Sequence, residues 1–219
     1  MNASRLLVSL LLTLGLVVRL TGAESPEAAA LAVLGSSADL HAKARACQEL
    51  GVYGGTAAVP ALAALLADER LADYARSGLE GIADPSAAKA LRDALRTLKD
   101  RRLAGAVNSL GVRRDRAAVA DLRAFALDPA RGVAAEALSA LGQIASADAA
   151  RVLEDVLARG AADLRAPAAH AALVAGELLA REGNPSAARK MFDAIVRARP
   201  SEHLVSVAQL QLNALKAKR

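Results

Sequence analysis

Residues able to carry nucleophilic or metal chemistry are few in this 219-residue chain, and they lie far apart. Cys47 is its only thiol, in the stretch KARACQELG, where helical spacing puts it on the apolar side with Leu50. A thiol so placed is expected to be buried and inert, not an activated nucleophile. His41, His170 and His203 are much further apart than the single helical turn that brings two imidazoles onto one zinc ion, and none stands four residues from Cys47. The glycines of Gly51-Val52-Tyr53-Gly54-Gly55 lack the Lys-Ser/Thr ending of a phosphate loop and are better explained by an inter-helix turn; no G-x-S-x-G elbow occurs. These residues assign no catalytic group, no metal site and no cofactor.

Cations offer more for recognition than for catalysis. Five segments, 56–68, 85–97, 116–128, 147–159 and 185–197, align without gaps. One aligned position holds Pro60, Lys89, Ala120, Arg151 and Arg189, and the position three residues later holds Ala63, Arg92, Arg123, Glu154 and Phe192. Both lie off the apolar stripe, so Lys89, Arg92, Arg123, Arg151 and Arg189 form a candidate protein-binding ladder; the alternative is an ordinary solvated helix surface. Arg101 and Arg102 form a second cluster, and Arg113, Arg114 and Arg116 a third. About 12 helical residues at about 1.5 Å each place these two groups roughly 18 Å apart, on opposite edges. Without aromatic stacking partners they do not make a nucleic-acid groove.

The elements that must position these side chains are helices. Residues are 54% hydrophobic but only 2% aromatic, with no Trp, so burial falls to Ala, Leu and Val, which suits closely packed helices and not a sandwich or barrel. In the aligned segments Leu62, Leu91, Leu122, Leu153 and Met191 share one register position, and Leu66, Leu95, Ala126, Leu157 and Ile195 another one turn on. Between them run other helices anchored by Leu50, Leu79, Leu110 and Leu141, about 29 to 31 residues apart, a helical-repeat period. The glycine that follows each anchor, directly or one residue on, is expected to be a left-handed C-cap that reverses the chain. Asp39, Asp68, Asp100 and Asp128 stand where a side chain can cap the next helix.

Both ends differ from the middle. Arg5, the apolar run Leu6 to Val18 and the small residues Thr21-Gly22-Ala23 make 1–23 a secretory signal peptide; about 13 apolar residues span only about 20 Å of a roughly 30 Å bilayer core. A retained anchor is the competing reading, with Arg19 snorkelling. No stable membrane span is expected once the signal is cleaved. The formal charge of +5 would lose Arg5 and Arg19 with it, a modest surplus that demands no acidic partner. Ser25, Pro26 and Glu27 open an N-terminal capping helix within 24–38. Ser201 and Glu202 open a C-terminal capping helix within 201–219 that ends on Lys216, Lys218 and Arg219.

An apolar ladder on second helices, an Asp at the turn and a first helix ending in Leu-Gly resemble the HEAT repeat family, in particular the short HEAT-like repeats of phycobilisome lyases. The likeness runs from Asp39 to Arg159, and the HEAT-like region is taken as 39–165. From 166 to 200, Leu173, Gly176, Leu179, Gly183, Ala188, Phe192 and Pro200 resemble a tetratricopeptide repeat without its early tryptophan; a lengthened HEAT hairpin is the alternative. The resemblance implies an all-α fold, a right-handed α-α superhelix or α-solenoid with helical caps, whose second helices line the concave side. The functional expectation is an exported scaffold, not an enzyme, periplasmic or secreted from a bacterium, that binds a protein or peptide and not nucleic acid. A lyase or enzyme subunit related to the phycobilisome proteins is the alternative.

Overall fold

The computed structural model describes residues 24–128, 130 and 132–217. Residues 1–23, where a signal peptide is expected, lie outside the described residues, as do Lys218 and Arg219. Among the described residues the chain is all-α, with no strand, and no helix is long and apolar enough to cross a membrane.

Three helices start the same way, with a short polar residue followed by proline. Ser25 Oγ accepts from the Ala28 N–H (3.1 Å) ahead of α1 (Pro26–Gly35). Asp84 Oδ1 accepts from Ser86 N–H (2.8 Å) ahead of α5 (Pro85–Ala94), and Asn184 Oδ1 accepts from Ala187 N–H (3.1 Å) ahead of α11 (Pro185–Ala198). Each cap satisfies a donor that the first turn leaves open, and proline sits where its missing N–H costs nothing. Asp39 caps α2 (Leu40–Tyr53) through Ala42 N–H at 2.8 Å, and Ser146 caps α9 (Ala147–Arg159) through Ala149 N–H at 3.2 Å.

The remaining helices are α3 (Val59–Ala64), α4 (Ala72–Gly81), α6 (Asp100–Val112), α7 (Val119–Ala126), α8 (Ala134–Ile144), α10 (Ala162–Arg181) and α12 (Glu202–Ala217). Short 3-10 turns, Thr56–Ala58 and Arg116–Ala118, lead into α3 and α7. The helix of the last hairpin thus begins four residues before 166 and carries Pro167 inside it. Asp68 works in the turn before α4, where Oδ1 accepts from the N–H groups of Arg70 and Leu71, both at 2.8 Å. Asp100 is no cap: it is the first residue of α6, with φ +48°.

Helices pack in two rows. In the first, α2 lies on α4, α4 on α6, α6 on α8, α8 on α10 and α10 on α12; in the second, α3 lies on α5, α7 on α9 and α9 on α11. Between the rows runs the core. Leu62, Leu91, Leu122, Leu153 and Met191 are all buried, as are the second set from Leu66 to Ile195 and the anchors Leu50, Leu79, Leu110 and Leu141. Each such leucine removes about 2 kcal/mol worth of apolar surface from water.

The glycines after the anchors are not left-handed C-caps. Gly51, Gly111 and Gly142 lie within α2, α6 and α8, Gly81 is the last residue of α4, and the positive-φ glycines among the described residues are Gly132 and Gly183. What these positions require is the missing side chain. A Cβ on Gly81 would stand 2.1 Å from Gly51 O, and one on Gly142 would stand 2.6 Å from Ala171 O. First-row helices therefore meet backbone to backbone where glycine removes the obstruction.

Candidate functional site

The five ladder cations sit on the second row, Lys89 and Arg92 on α5, Arg123 on α7, Arg151 on α9 and Arg189 on α11. Lys89, Arg151 and Arg189 stand two residues before a buried core residue (Leu91, Leu153, Met191); Arg92 and Arg123 stand one residue after theirs (Leu91, Leu122). At about 100° per residue, these two positions are about 60° apart around the helix, on one flank of the buried stripe.

Three of the five are already paired. Lys89 Nζ lies 2.6 Å from Asp93 Oδ2, both exposed, and holds that carboxyl below its usual range. Arg151 pairs with Asp148 one turn earlier on the same helix. Arg92 pairs with Asp115, whose other oxygen caps the Arg116–Ala118 turn through Ala117 N–H at 3.2 Å. That pair is mostly shielded from solvent and staples α5 to the turn between α6 and α7, so Arg92 is a structural cation. Arg123, exposed, and Arg189, half-buried, have no ion pair among the described residues. A cleft of about 720 Å³ between α10, α11 and α12, lined by Glu177, Arg181, Pro185, Gln211 and Leu215 among others, contains none of the five.

The two other arginine clusters turn out to be stitches between helices. Arg101 pairs with Asp73, and Arg102 donates to Ala67 O at 2.7 Å, both near the start of α4. At the other end of α4, Arg113 donates to the carbonyls of Leu79 (2.6 Å), Glu80 (3.0 Å), Ile82 (2.6 Å) and Asp84 (3.3 Å). One guanidinium thereby fills the acceptors that a helix C-terminus leaves open, and adds a cation at the negative end of the dipole. Its Nε has no partner, and desolvation pulls its pKa down against the raising influence of Asp115, Glu80 and Asp84. Arg114 reaches Ile144 O (3.4 Å) and pairs with Glu182, spanning the ends of α6, α8 and α10.

A polar cluster that the sequence reading missed joins α4 to α6. Ser109, 0% exposed, lies 2.6 Å from Glu80 Oε1 and accepts from Arg76 at 3.1 Å; Arg76 also donates to Glu80 at 2.9 Å. Gly105 leaves the room in which the Arg76 side chain lies, since a Cβ there would be 2.8 Å from Nε. Cys47 is fully buried, and desolvation pushes its thiol up to about 11, away from thiolate chemistry. His41, His170 and His203 are exposed on α2, α10 and α12, and among the described residues no three metal-ligating side chains converge. No family model matches the chain, and no curated protein is significantly similar to it.

Proposed function

We propose that the chain is an open α-solenoid, HEAT-like over 39–165 and tetratricopeptide-like over 166–200, that serves as an exported, non-enzymatic scaffold. It binds a protein or peptide along the second-row face. The two-row packing and the buried register residues support the solenoid geometry. So does the close fit of Gly176 against Phe192, where a Cβ would be 2.5 Å from the ring: a small residue facing an aromatic, as the tetratricopeptide pattern wants. The signal-like leader supports export.

The observation that carries the binding proposal is the pair Arg123 and Arg189, which keep their charge unneutralised on the flank where Lys89, Arg92 and Arg151 are each paired. Such cations favour a partner that presents carboxylates. The test is capture from a native envelope fraction by the wild-type chain and by Arg123→Glu/Arg189→Glu. Loss of the captured partner in the double variant, with an unchanged thermal midpoint, is expected; equal capture would remove this face. Arg92 is not a clean probe, because its reversal also breaks the staple to Asp115.

A further inference from the structure

We propose that the ion pair Arg114–Glu182 is a latch that sets the curvature of the stack from α6 to α11, and with it the gap between Arg123 and Arg189 on the second row. In a stack of repeat hairpins each one ordinarily touches only those beside it. This pair skips one. Arg114 follows α6 and Glu182 follows α10, while α8 packs between those two helices. On the way the guanidinium also donates to Ile144 O, the last residue of α8, at 3.4 Å.

The backbone singles out this side chain. α6 and α10 close with the same two bonds: the Arg114 N–H donates to Gly111 O (2.8 Å) and the Asp115 N–H to Leu110 O (3.0 Å), as Gly183 does to Ala180 O (3.3 Å) and Asn184 to Leu179 O (2.8 Å). Each end places one residue in the left-handed region, Gly183 at φ +79° and Arg114 at φ +52°. Glycine suits that position, because a Cβ there is strained. A side chain held where glycine is preferred needs a compensating contact, and the reach to Glu182 supplies it.

First-row helices are drawn together along the same edge. Gly51, Gly81, Gly111 and Gly142 stand in the last turns of α2, α4, α6 and α8, where a Cβ on Gly111 would be 2.7 Å from Ala140 Cα and one on Gly142 2.6 Å from Ala171 O. Near the starts of α4 and α6 the links run through side chains instead, Arg101 to Asp73 and Arg102 to Ala67 O. Tension along one edge bends a row of helices toward it. Arg123 on α7 and Arg189 on α11 belong to the two hairpins that the latch joins, so its release lets them move apart. The consequence for a partner rests on the binding reading above: the latch fixes how far apart the partner's carboxylates must stand.

Double electron–electron resonance on the full chain tests this, with nitroxides on Ala120→Cys and Ser186→Cys, both exposed and each about one turn from its cation. Cys47, fully buried, stays unlabelled. Arg114→Gly, which suits the left-handed turn, and Glu182→Ala are each expected to lengthen the mean distance by at least about 2 Å, a quarter of a helix spacing, and to broaden it. Salt should do the same to the unmutated pair, whose side chains are 38% and 43% exposed, since about 1 M NaCl cuts the screening length to about 3 Å. Arg151→Gln breaks a pair within one helix and should leave the distance alone. A distance unmoved by the two cuts, or by salt should a cut fail to fold, overturns the proposal, as does an equal lengthening in Arg151→Gln. Partner capture is a separate readout. If Arg123→Glu/Arg189→Glu captures like wild type while the distance still answers to the cuts, the binding face fails and the latch stands, because the distance is read with no partner present.

Discussion

The two sides of α4 solve the same packing problem with different chemistry. Against α2, contact is bare backbone: a Cβ on Gly78 would stand 2.7 Å from Cys47 O, and one on Gly81 only 2.1 Å from Gly51 O. Against α6, the space beside Gly105 holds the Arg76 side chain, tied to Glu80 and the buried Ser109, and Asp73 bridges to Arg101. One crossing owes its closeness to absent side chains, the other its geometry to a satisfied polar cluster. A rigid backbone cannot yield to an added atom, whereas the end of an arginine can. Small residues in one helix thus report two different neighbours.

The sharpest test is the same substitution on both sides. Gly81→Ala pushes a methyl into a carbonyl and is expected to cost about 3 kcal/mol or more, with a visibly broadened or lost unfolding transition. Gly105→Ala displaces only the Arg76 side chain, and the roughly 1 kcal/mol that Ala gains over Gly in a helix offsets part of the loss. Its midpoint in urea should move by less than a third of the Gly81→Ala shift. Equal shifts would erase the distinction drawn between the two crossings.

Removing polar partners from the α6 side comes next in size. Arg113→Met strips four carbonyls at the end of α4 of their donor and is expected to cost about 2 kcal/mol. Ser109→Ala leaves Arg76 and Glu80 one partner short and should cost about 1 kcal/mol by chemical denaturation. Gly35 provides the counterexample: it is the last residue of α1, no atom stands within 4 Å of a Cβ placed on it, and its φ is not positive. Gly35→Ala should therefore stabilise the chain slightly, by about 0.5 kcal/mol.

Acidity probes the carboxylates that tie turns together. Asp68 is held below its usual range first by the Arg70 and Leu71 N–H groups, Asp84 first by the Ser86 hydroxyl, and Glu182 first by Arg114. A folded-state pKa below the unfolded value means the stabilisation is complete above ordinary carboxylate values and disappears as pH falls through the folded ones. The thermal midpoint should hold from pH 7 to 5 and drop below about pH 4, and Asp68→Asn should shallow that drop.

The leucine ladder was legible because its register repeats in five segments, and periodic burial needs no knowledge of distant neighbours. The glycines were misread for a local reason: Leu-Gly looks alike whether the helix stops in a left-handed residue or runs on beneath a neighbouring backbone. Only the second element distinguishes the cases, as Gly51 and Gly81 show together. Arg113 was illegible in a different way, since its acceptors are carbonyls around 30 residues earlier and carry no side-chain signature. The candidate face was half legible. Position marked out all five cations, but Asp115, in another hairpin, decides that Arg92 is structural while Arg123 stays available.

Small-angle X-ray scattering from the dilute chain, extrapolated to zero concentration, tests the open two-row stack most directly. First-row helices spaced at about 8–10 Å extend the molecule to roughly 55 Å, for which a radius of gyration of roughly 20 Å and a skewed distance distribution are expected. A symmetric distribution with a radius near the roughly 17 Å of a compact globule of this length would contradict it.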